Sequence, residues 1–255
     1  MIVGILGLGA IGSFLARELS SDPEVEIILG FDITPGRVLA VSKQAAKLRE
    51  TTVDYLLAHV DVVVEAASQQ AVREYAPRAL QAGKELVVLS AGALGDAELS
   101  ARLQELAVKH GGRLHIPSGA IGGLDALKAA RFAGLKEVEI ETTKSPKALG
   151  QPDGTSGVIF EGTATEAAAR FPANINVAVT LGLAGLGPDR TRVRIVSDPG
   201  ATVNTHRVKY RGDFGEVTVI LENRPLPDNP KTSALAAYSA LALIRQLRSR
   251  HRYGT

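Results

Sequence analysis

The 255-residue sequence predicts an α/β fold in which a parallel sheet, covered by helices on both faces, precedes an α+β domain. In the first half, short apolar runs such as "MIVGIL" and "DVVVEA" alternate with segments of helical periodicity. Strands this apolar are buried on both faces, which is typical of parallel sheets. Later strands alternate apolar and polar residues, as "KEVEIETT" does, which indicates one wet face. The N-terminal part is therefore predicted as a Rossmann-type, doubly wound sheet.

The first domain is expected over residues 1–120, with strands and helices in alternation. Its strands are predicted at 1–9, 25–32, 60–68, 84–92 and 112–119. Its helices are predicted at 10–22, 36–50, 71–82 and 95–110. Helices that connect parallel strands cover the two faces of the sheet.

The second domain is expected over residues 121–231. Its strands are predicted at 134–146, 157–164, 190–198, 202–210 and 215–224, the last two forming a hairpin around "RGDFG". A helical stretch at 166–185 should be split in two by Pro172, because proline disrupts a helix interior. The remaining segment, 232–255, is predicted to form an amphipathic helix that could pack back on the first domain.

Composition excludes several kinds of function. The chain has 29 Lys and Arg against 27 Asp and Glu, a net charge of +2, which gives no reason to expect a nucleic-acid or membrane partner. No cysteine is present, so disulfides, thiolate metal sites and thiol nucleophiles are excluded. The apolar runs are too short to span a bilayer, and the N-terminus lacks a signal-peptide pattern. A cytoplasmic protein is expected.

A glycine motif at the start of the chain predicts a dinucleotide site. The G-x-G-x-x-G pattern comes directly after the first strand and opens the first helix; its residues are Gly7, Leu8, Gly9, Ala10, Ile11 and Gly12. Asp32 ends the next strand and could accept hydrogen bonds from the adenosine ribose, which favours NAD. Arg37 could reach a 2′-phosphate, so NADP stays open. The alternative is a glycine-rich turn without a ligand.

Two further loops follow the carboxyl ends of predicted strands, where ligands of doubly wound sheets bind. One contains Ala67 and Ser68, and the other contains Ala91. Their small side chains leave room for the nicotinamide ribose, so these residues are further candidates for cofactor binding.

His206 lies in a predicted strand, where a histidine can be a packed residue, a metal ligand or a proton-transfer group. Alternation along the strand places Asn204, His206 and Val208 on one face. No spacing of His, Asp and Glu resembles a metal site, so no metal is expected. The residues alone leave the other two interpretations of His206 open.

Four sequence blocks resemble the L-aspartate dehydrogenase family, and the resemblance runs essentially from end to end. The blocks are "IPSGAIGGLDAL" at 116–127, "TTKSP" at 142–146, "FPANINVAVTLGLAG" at 171–185 and "NTHRV" at 204–208. The resemblance implies NAD(P)-dependent oxidation of L-aspartate to iminosuccinate, which hydrolyses to oxaloacetate and ammonia. It also implies a homodimer, a catalytic second domain and a role in supplying quinolinate and NAD synthesis.

The family's functional residues correspond to three positions of this chain. Ala120 matches the alanine at the nicotinamide site, Asn176 the cofactor-binding asparagine, and His206 the active-site histidine. His206 is therefore predicted to be the acid–base residue, because an unperturbed imidazole titrates near neutral pH.

The substrate's two carboxylates require cationic or amide donors. Lys144 is predicted to pair with one carboxylate, assisted by Thr143 and by Asn174 at a predicted helix start. Asn204, on the same strand face as His206, is a further candidate for substrate binding.

Two other functions remain as alternatives. One is another two-domain reductase, such as a relative of homoserine dehydrogenase or dihydrodipicolinate reductase, although the paired-histidine block of the latter is not evident. The other is a non-catalytic NAD-binding sensor, which would need the glycines but no proton-transfer residue. Phosphorylating semialdehyde dehydrogenases are excluded because they need a thiol.

Overall fold

The structure, a computed structural model, describes residues 1–171, 175–226 and 229–251. Contacts between Cα atoms divide it into two compact units. Unit 1 comprises Met1–Pro117 and Ala240–Ile244, and unit 2 comprises Ser118–Ser239 with the described residues after Ile244. The division after Pro117 lies three residues before the 120/121 boundary that the sequence suggests.

Unit 1 contains a six-stranded sheet in which every paired strand is parallel. Its strands are β1 (Ile2–Leu6), β2 (Ile27–Phe31), β3 (Leu48–Glu50), β4 (Val62–Glu65), β5 (Glu85–Val88) and β6 (Arg113–His115). Its helices are α1 (Ala10–Ser20), α2 (Arg37–Ser42), α3 (Val53–His59), α4 (Gln69–Gln81) and α5 (Ala97–His110). The strand order β3-β2-β1-β4-β5-β6 is that of the Rossmann fold, so the predicted fold class is confirmed.

One predicted element of unit 1 is wrong. Residues 36–50 do not form a single helix: α2 ends at Ser42, and residues 48–50 form β3 on the edge of the sheet. The polar segment resembles a surface helix, but Leu48 is buried and pairs with Ile28 of β2, a contact that local periodicity does not reveal. Helix α3 was not predicted; the hydroxyl of Thr52 caps it by accepting from the Tyr55 N–H.

Unit 2 contains a mixed five-stranded sheet in the order β11-β10-β7-β9-β8. These strands are β7 (Leu135–Lys144), β8 (Gly157–Thr163), β9 (Thr191–Ser197), β10 (Asn204–Gly212) and β11 (Gly215–Asn223), and a small ladder joins β12 (Pro225–Leu226) to β13 (Asn229–Ser233). The helices that lie wholly in unit 2 are α6 (Leu124–Ala130), α7 (Pro146–Leu149), α8 (Ala164–Arg170) and α9 (Asn176–Ala184). The last helix, α10 (Ala234–Gln246), is divided between the units, since its residues Ala240–Ile244 belong to unit 1. Strands β10 and β11 form the predicted hairpin. The helical stretch is indeed divided, into α8 and α9, although Pro172 lies outside the described residues.

The two faces of the unit 2 sheet differ in polarity. The inner face carries apolar residues such as Val138, Ile140 and Val208, and α9 packs against β7 and β9. The outer face carries charges that pair across neighbouring strands, as Glu137 does with Arg211 at 2.7 Å. The predicted alternation is confirmed, and it determines which side chains of β7 and β10 are buried.

Candidate functional site

The glycine motif forms a tight turn between β1 and α1. Gly7 has φ +92°, a conformation that side chains other than glycine rarely adopt, and a Cβ added there would lie 2.5 Å from Cβ of Ala67. A Cβ added at Gly12 would lie 1.9 Å from the carbonyl oxygen of Gly7. Glycine is therefore required at both positions by the close approach of the turn to its surroundings.

The start of α1 fits a pyrophosphate. A Cβ added at Gly9 would meet no described atom within 4 Å, so the backbone there borders open space. Among the described residues, no side chain caps this helix end, and its first turn contains no acidic residue. Backbone N–H groups and the helix dipole at such an end favour a phosphate.

Asp32 braces the glycine turn. Its Oδ2 accepts the Leu8 N–H at 2.7 Å, and its Oδ1 accepts the Thr34 N–H at 2.8 Å. Each carboxylate oxygen has a second lone pair, so both can still accept from a ribose hydroxyl. Asp32 therefore stabilises the glycine turn, a role that the sequence did not predict. Its oxygens can still accept hydrogen bonds from the adenosine ribose, the role that was expected.

Two cavities of unit 1 border the turn that begins at Asp32. One, of about 130 Å³, is lined by Gly7, Asp32, Ala67, Ser68 and Tyr75 among others, and the Tyr75 ring meets Phe31 edge to face at 6.2 Å. Its mixture of small and aromatic residues suits a purine and its ribose. The other, of about 480 Å³, includes Arg37 in its lining.

The two loops with small residues are held by a buried acid that the sequence analysis missed. Glu65, the last residue of β4, is 1% exposed. Its Oε1 accepts the N–H groups of Ala67 and Ser68 at 2.8 and 2.9 Å, and its Oε2 accepts the Ser90 N–H at 3.0 Å. An acidic residue at the end of the apolar run "DVVVE" was the available signal, because buried charges need partners.

Unit 2 contains a polar cluster on the inner face of its sheet. Along β7 the inner-face residues are first apolar, at Val138 and Ile140, and then polar, at Thr142 and Lys144. Along the antiparallel β10 they are first polar, at Asn204 and His206, and then apolar, at Val208. The polar ends of the two strands therefore meet at one edge of the sheet. We call Thr142, Lys144, Asn204 and His206 the β7–β10 cluster; all four are buried.

His206 is 1% exposed, and its Nδ1 lies 2.9 Å from Oγ1 of Thr142. Burial, together with the charge of Lys144, lowers the pKa of His206 to about 3. The imidazole is thus neutral at neutral pH, and the ordinary value near 6.5 does not apply to the free site. If Nδ1–H donates to Thr142, Nε2 keeps a lone pair and can accept a proton.

Lys144 is 7% exposed, and burial lowers its pKa to about 8. The ammonium still predominates at pH 7, so the cluster carries a buried positive charge. Thr143 does not belong to this cluster, contrary to expectation: side chains alternate along β7, and Thr143 pairs with Thr205 on the opposite face. Thr142, and not Thr143, is the threonine that lies beside His206 on the buried face.

The other predicted residues of unit 2 have separate surroundings. Asn204 donates from Nδ2 to Ser233 Oγ at 3.3 Å. Ala120 is buried, and its carbonyl accepts from Asn223 Nδ2 at 2.9 Å. Asn176 is the first residue of α9, and Asn174 lies outside the described residues. The segment before Ala120 approaches the start of α9, since a Cβ added at Gly119 would lie 3.9 Å from Cγ1 of Val177.

The described residues contain neither a cluster of metal-ligating side chains nor a membrane-spanning helix. No group of three or more His, Asp or Glu side chains in these residues could hold a metal ion. None of the described helices has the length and apolar character needed to cross a membrane.

Known proteins with this organisation define the class of the chain. Residues 7–117 match the family model described as "Homoserine dehydrogenase, NAD binding domain", and residues 125–247 match "Aspartate dehydrogenase, C-terminal". The fold also resembles GenD2 from gentamicin A biosynthesis, whose structure was solved with NAD, at 16% identity and a TM-score of 0.60 over all of this chain and 88% of that one. The two model matches, in this order along the chain, define its class as an NAD-binding dehydrogenase with a second, C-terminal unit.

More similar relatives identify the family. The chain is 44% identical to the L-aspartate dehydrogenase of Archaeoglobus fulgidus, over 97% of this chain and 98% of that protein. It is 44% identical to the corresponding enzyme of Methanothermobacter thermautotrophicus over 100% and 99% of the two chains. The crystal structure of aspartate dehydrogenase from Thermotoga maritima matches with 34% identity and a TM-score of 0.80, over 100% of this chain and 99% of that one. The chain belongs to the L-aspartate dehydrogenase family, as its sequence blocks predict.

Proposed function

We propose that this protein catalyses the reversible NAD(P)-dependent oxidation of L-aspartate to iminosuccinate, which water converts to oxaloacetate and ammonia. The observation that supports this function best is the β7–β10 cluster, in which a buried cation lies on the same sheet face as a buried neutral imidazole. The full-length similarity to L-aspartate dehydrogenases supports the choice of substrate.

In this proposal the cofactor is bound by unit 1. The N–H groups at the start of α1 hold the pyrophosphate, and Asp32 holds the adenosine ribose. The loops that contain Ala67, Ser68 and Ala91 border the nicotinamide ribose. The family resemblance alone supports Ala120 and Asn176 as further cofactor-binding residues. Bound NAD supplies the acceptor for the hydride that leaves Cα of the substrate.

The β7–β10 cluster binds the substrate in this proposal. Lys144 pairs with one carboxylate, and the burial of its ammonium strengthens the attraction because little water competes. The amide of Asn204 offers a further donor once it exchanges its contact with Ser233 for the substrate. Thr142 acts through His206 in this proposal, and it does not bind the carboxylate as Thr143 was expected to do.

His206 moves the protons in this scheme. The substrate amine must lose protons to become the imine, and the water that adds to the imine must lose one as well. Neutral Nε2 can accept such a proton while Thr142 holds Nδ1. A bound dicarboxylate would place negative charge near the cluster, which raises the pKa of His206 from its low value and makes the imidazole a stronger base.

A substrate panel tests the function. The purified protein is incubated with NAD or NADP and with L-aspartate, D-aspartate, L-glutamate or L-homoserine, and nicotinamide reduction is followed by absorbance. We expect reduction with L-aspartate at a kcat/KM at least 100-fold above the other three. Equal or higher activity with L-homoserine would favour the alternative reductase, and no activity with any of them would favour a sensor.

Asp32 should determine the preference between the two cofactors. Asp32→Ser removes a charge that would repel a 2′-phosphate, so the ratio of NAD to NADP affinity should fall at least about tenfold. The ratio is the proper measure, because loss of the Leu8 contact weakens the glycine turn for both cofactors. Both dissociation constants are measured by calorimetry, with Arg37→Ala as a control that should weaken NADP alone. An unchanged ratio in Asp32→Ser would reject the role.

The quaternary structure, location and pathway are also proposals. The family resemblance supports a homodimer, whose mass in solution would be about twice the 26.8 kDa of the chain. The balanced charge and the family resemblance support a cytoplasmic location. The imine product could feed quinolinate and NAD synthesis.

A further inference from the structure

Glu65 connects two loops at the carboxyl edge of the unit 1 sheet. It lies in the central strand β4, where it pairs with Leu6 of β1 on one side and Val88 of β5 on the other. Its side chain accepts from Ala67 and Ser68 in the loop after β4. It also accepts from the N–H and the hydroxyl of Ser90, at 3.0 and 2.9 Å, in the loop after β5.

The four contacts favour the charged form of Glu65. All come from donors, three of them backbone N–H groups that can only donate. A protonated carboxyl would place its own O–H beside these donors, and the three backbone N–H groups cannot accept a hydrogen bond from it. Burial raises the pKa of Glu65 above its ordinary value, and the same hydrogen bonds lower it by less, so the contacts offset part of the cost of burying the charge.

The contacts of Glu65 extend to the glycine turn. Ala67, which Glu65 holds through its N–H, lies where a Cβ on Gly7 would collide with it at 2.5 Å. Ser68 caps α4 by accepting the Ala71 N–H at 3.1 Å. A shift of the loop after β4 would therefore alter both the packing of the glycine turn and the start of a helix.

We propose that Glu65 is a positioning residue for cofactor binding, which holds the loops after β4 and β5 in the arrangement that receives the nicotinamide half of NAD. This inference rests on the cofactor site of the proposed function. Glu65 itself need not touch the cofactor, since its oxygens are occupied by the loops. An apolar residue would avoid the cost of the buried charge but would leave three backbone N–H groups without acceptors.

Glu65→Gln tests this role with little change of shape. In either orientation of the amide, its NH₂ group faces a backbone N–H, so at least one loop loses its acceptor. We expect the dissociation constant of NADH, measured by fluorescence, to rise at least tenfold. Exchange of amide hydrogens in the segments 66–72 and 89–95 should become faster in the absence of cofactor. Succinate carries the two carboxylates of the substrate, so we assign its binding to the β7–β10 cluster of unit 2. Its dissociation constant should change less than twofold.

Glu85→Gln is the matched control. Glu85 is an acid at the opposite end of β5, where it accepts from Arg113 at 2.8 Å and contacts His115. This variant should lose comparable hydrogen bonds without changing the NADH constant. If Glu65→Gln does not fold, Ser90→Ala removes one donor to Glu65, and we expect a rise of about two- to fivefold.

The outcomes separate the inference from the proposed function. Wild-type protein that binds neither NADH nor NADPH contradicts the proposed function. If a folded Glu65→Gln variant binds NADH within twofold of the wild type, the positioning role is overturned. The same result overturns it in Ser90→Ala, where that is the variant tested. An equal loss in Glu85→Gln would overturn it too, because the effect would then reflect general weakening of the sheet.

Discussion

His206→Ala should lower kcat for L-aspartate oxidation by roughly 10²- to 10⁴-fold, the usual contribution of general acid–base catalysis. The affinity for NADH should change less than threefold, because the cofactor site proposed for unit 1 does not include His206. The rate is measured at saturating aspartate across pH 6–10, so that a shifted optimum is not mistaken for a lost group. A variant that keeps more than about a tenth of the wild-type kcat throughout would assign His206 to structure alone.

Two companion variants separate proton transfer from packing. His206→Asn keeps a polar side chain near Thr142 but cannot act as a base at neutral pH, so it should be as inactive as His206→Ala. Thr142→Val removes the partner of Nδ1 while it keeps the shape, and it should reduce kcat by about tenfold, the weight of one lost hydrogen bond of about 1–1.5 kcal/mol. Full activity in His206→Asn would exclude proton transfer by this residue.

Lys144→Ala should raise the KM for L-aspartate by roughly 10- to 100-fold, because a hydrogen bond to a charged group contributes about 1.5–3 kcal/mol. NADH binding should remain within threefold of the wild type. The KM is measured at pH 7, where Lys144 is largely protonated. An unchanged KM would remove Lys144 from the substrate site.

The pH dependence of succinate binding tests the charge on Lys144 directly. Succinate has both carboxylates of the substrate but no amine that titrates. The pKa of Lys144 is about 8, so its ammonium is present below pH 8 and is lost above it. The dissociation constant should therefore be flat from pH 6.5 to 7.5 and then rise toward tenfold per pH unit. In Lys144→Arg the guanidinium stays charged, and the rise should disappear.

The sequence was most informative where local geometry limits the choice of residue. The turn at Gly7 and the helix packing at Gly12 tolerate no side chain, so the dinucleotide motif could be recognised from its glycine spacing between a predicted strand and a predicted helix. Strand alternation likewise predicted that His206 and Asn204 share one face, and the structure shows that both are buried. The same rule, counted from Val138 and Ile140, would have selected Thr142 in place of Thr143.

Other features depend on contacts between distant segments. The partners of Glu65 include Ser90, 25 residues away, and β3 exists because Leu48 joins the edge of the sheet beside β2. The low pKa of His206 comes from burial and from Lys144 on another strand, so it could not be inferred from the residue type. The candidate reacting groups could thus be proposed from the sequence, whereas their electrostatic state required the fold.

The most direct test of the proposed reaction is its stoichiometry. Purified protein is incubated with limiting L-aspartate labelled with deuterium at Cα, with excess NAD and with hydrazine to trap the keto acid. We predict that ammonia, trapped oxaloacetate and deuterated NADH form in a 1:1:1 ratio, and that His206→Asn forms none of them at a comparable rate. Reduction of NAD without ammonia, or NADH without deuterium, would contradict the proposal that this protein oxidises L-aspartate at Cα.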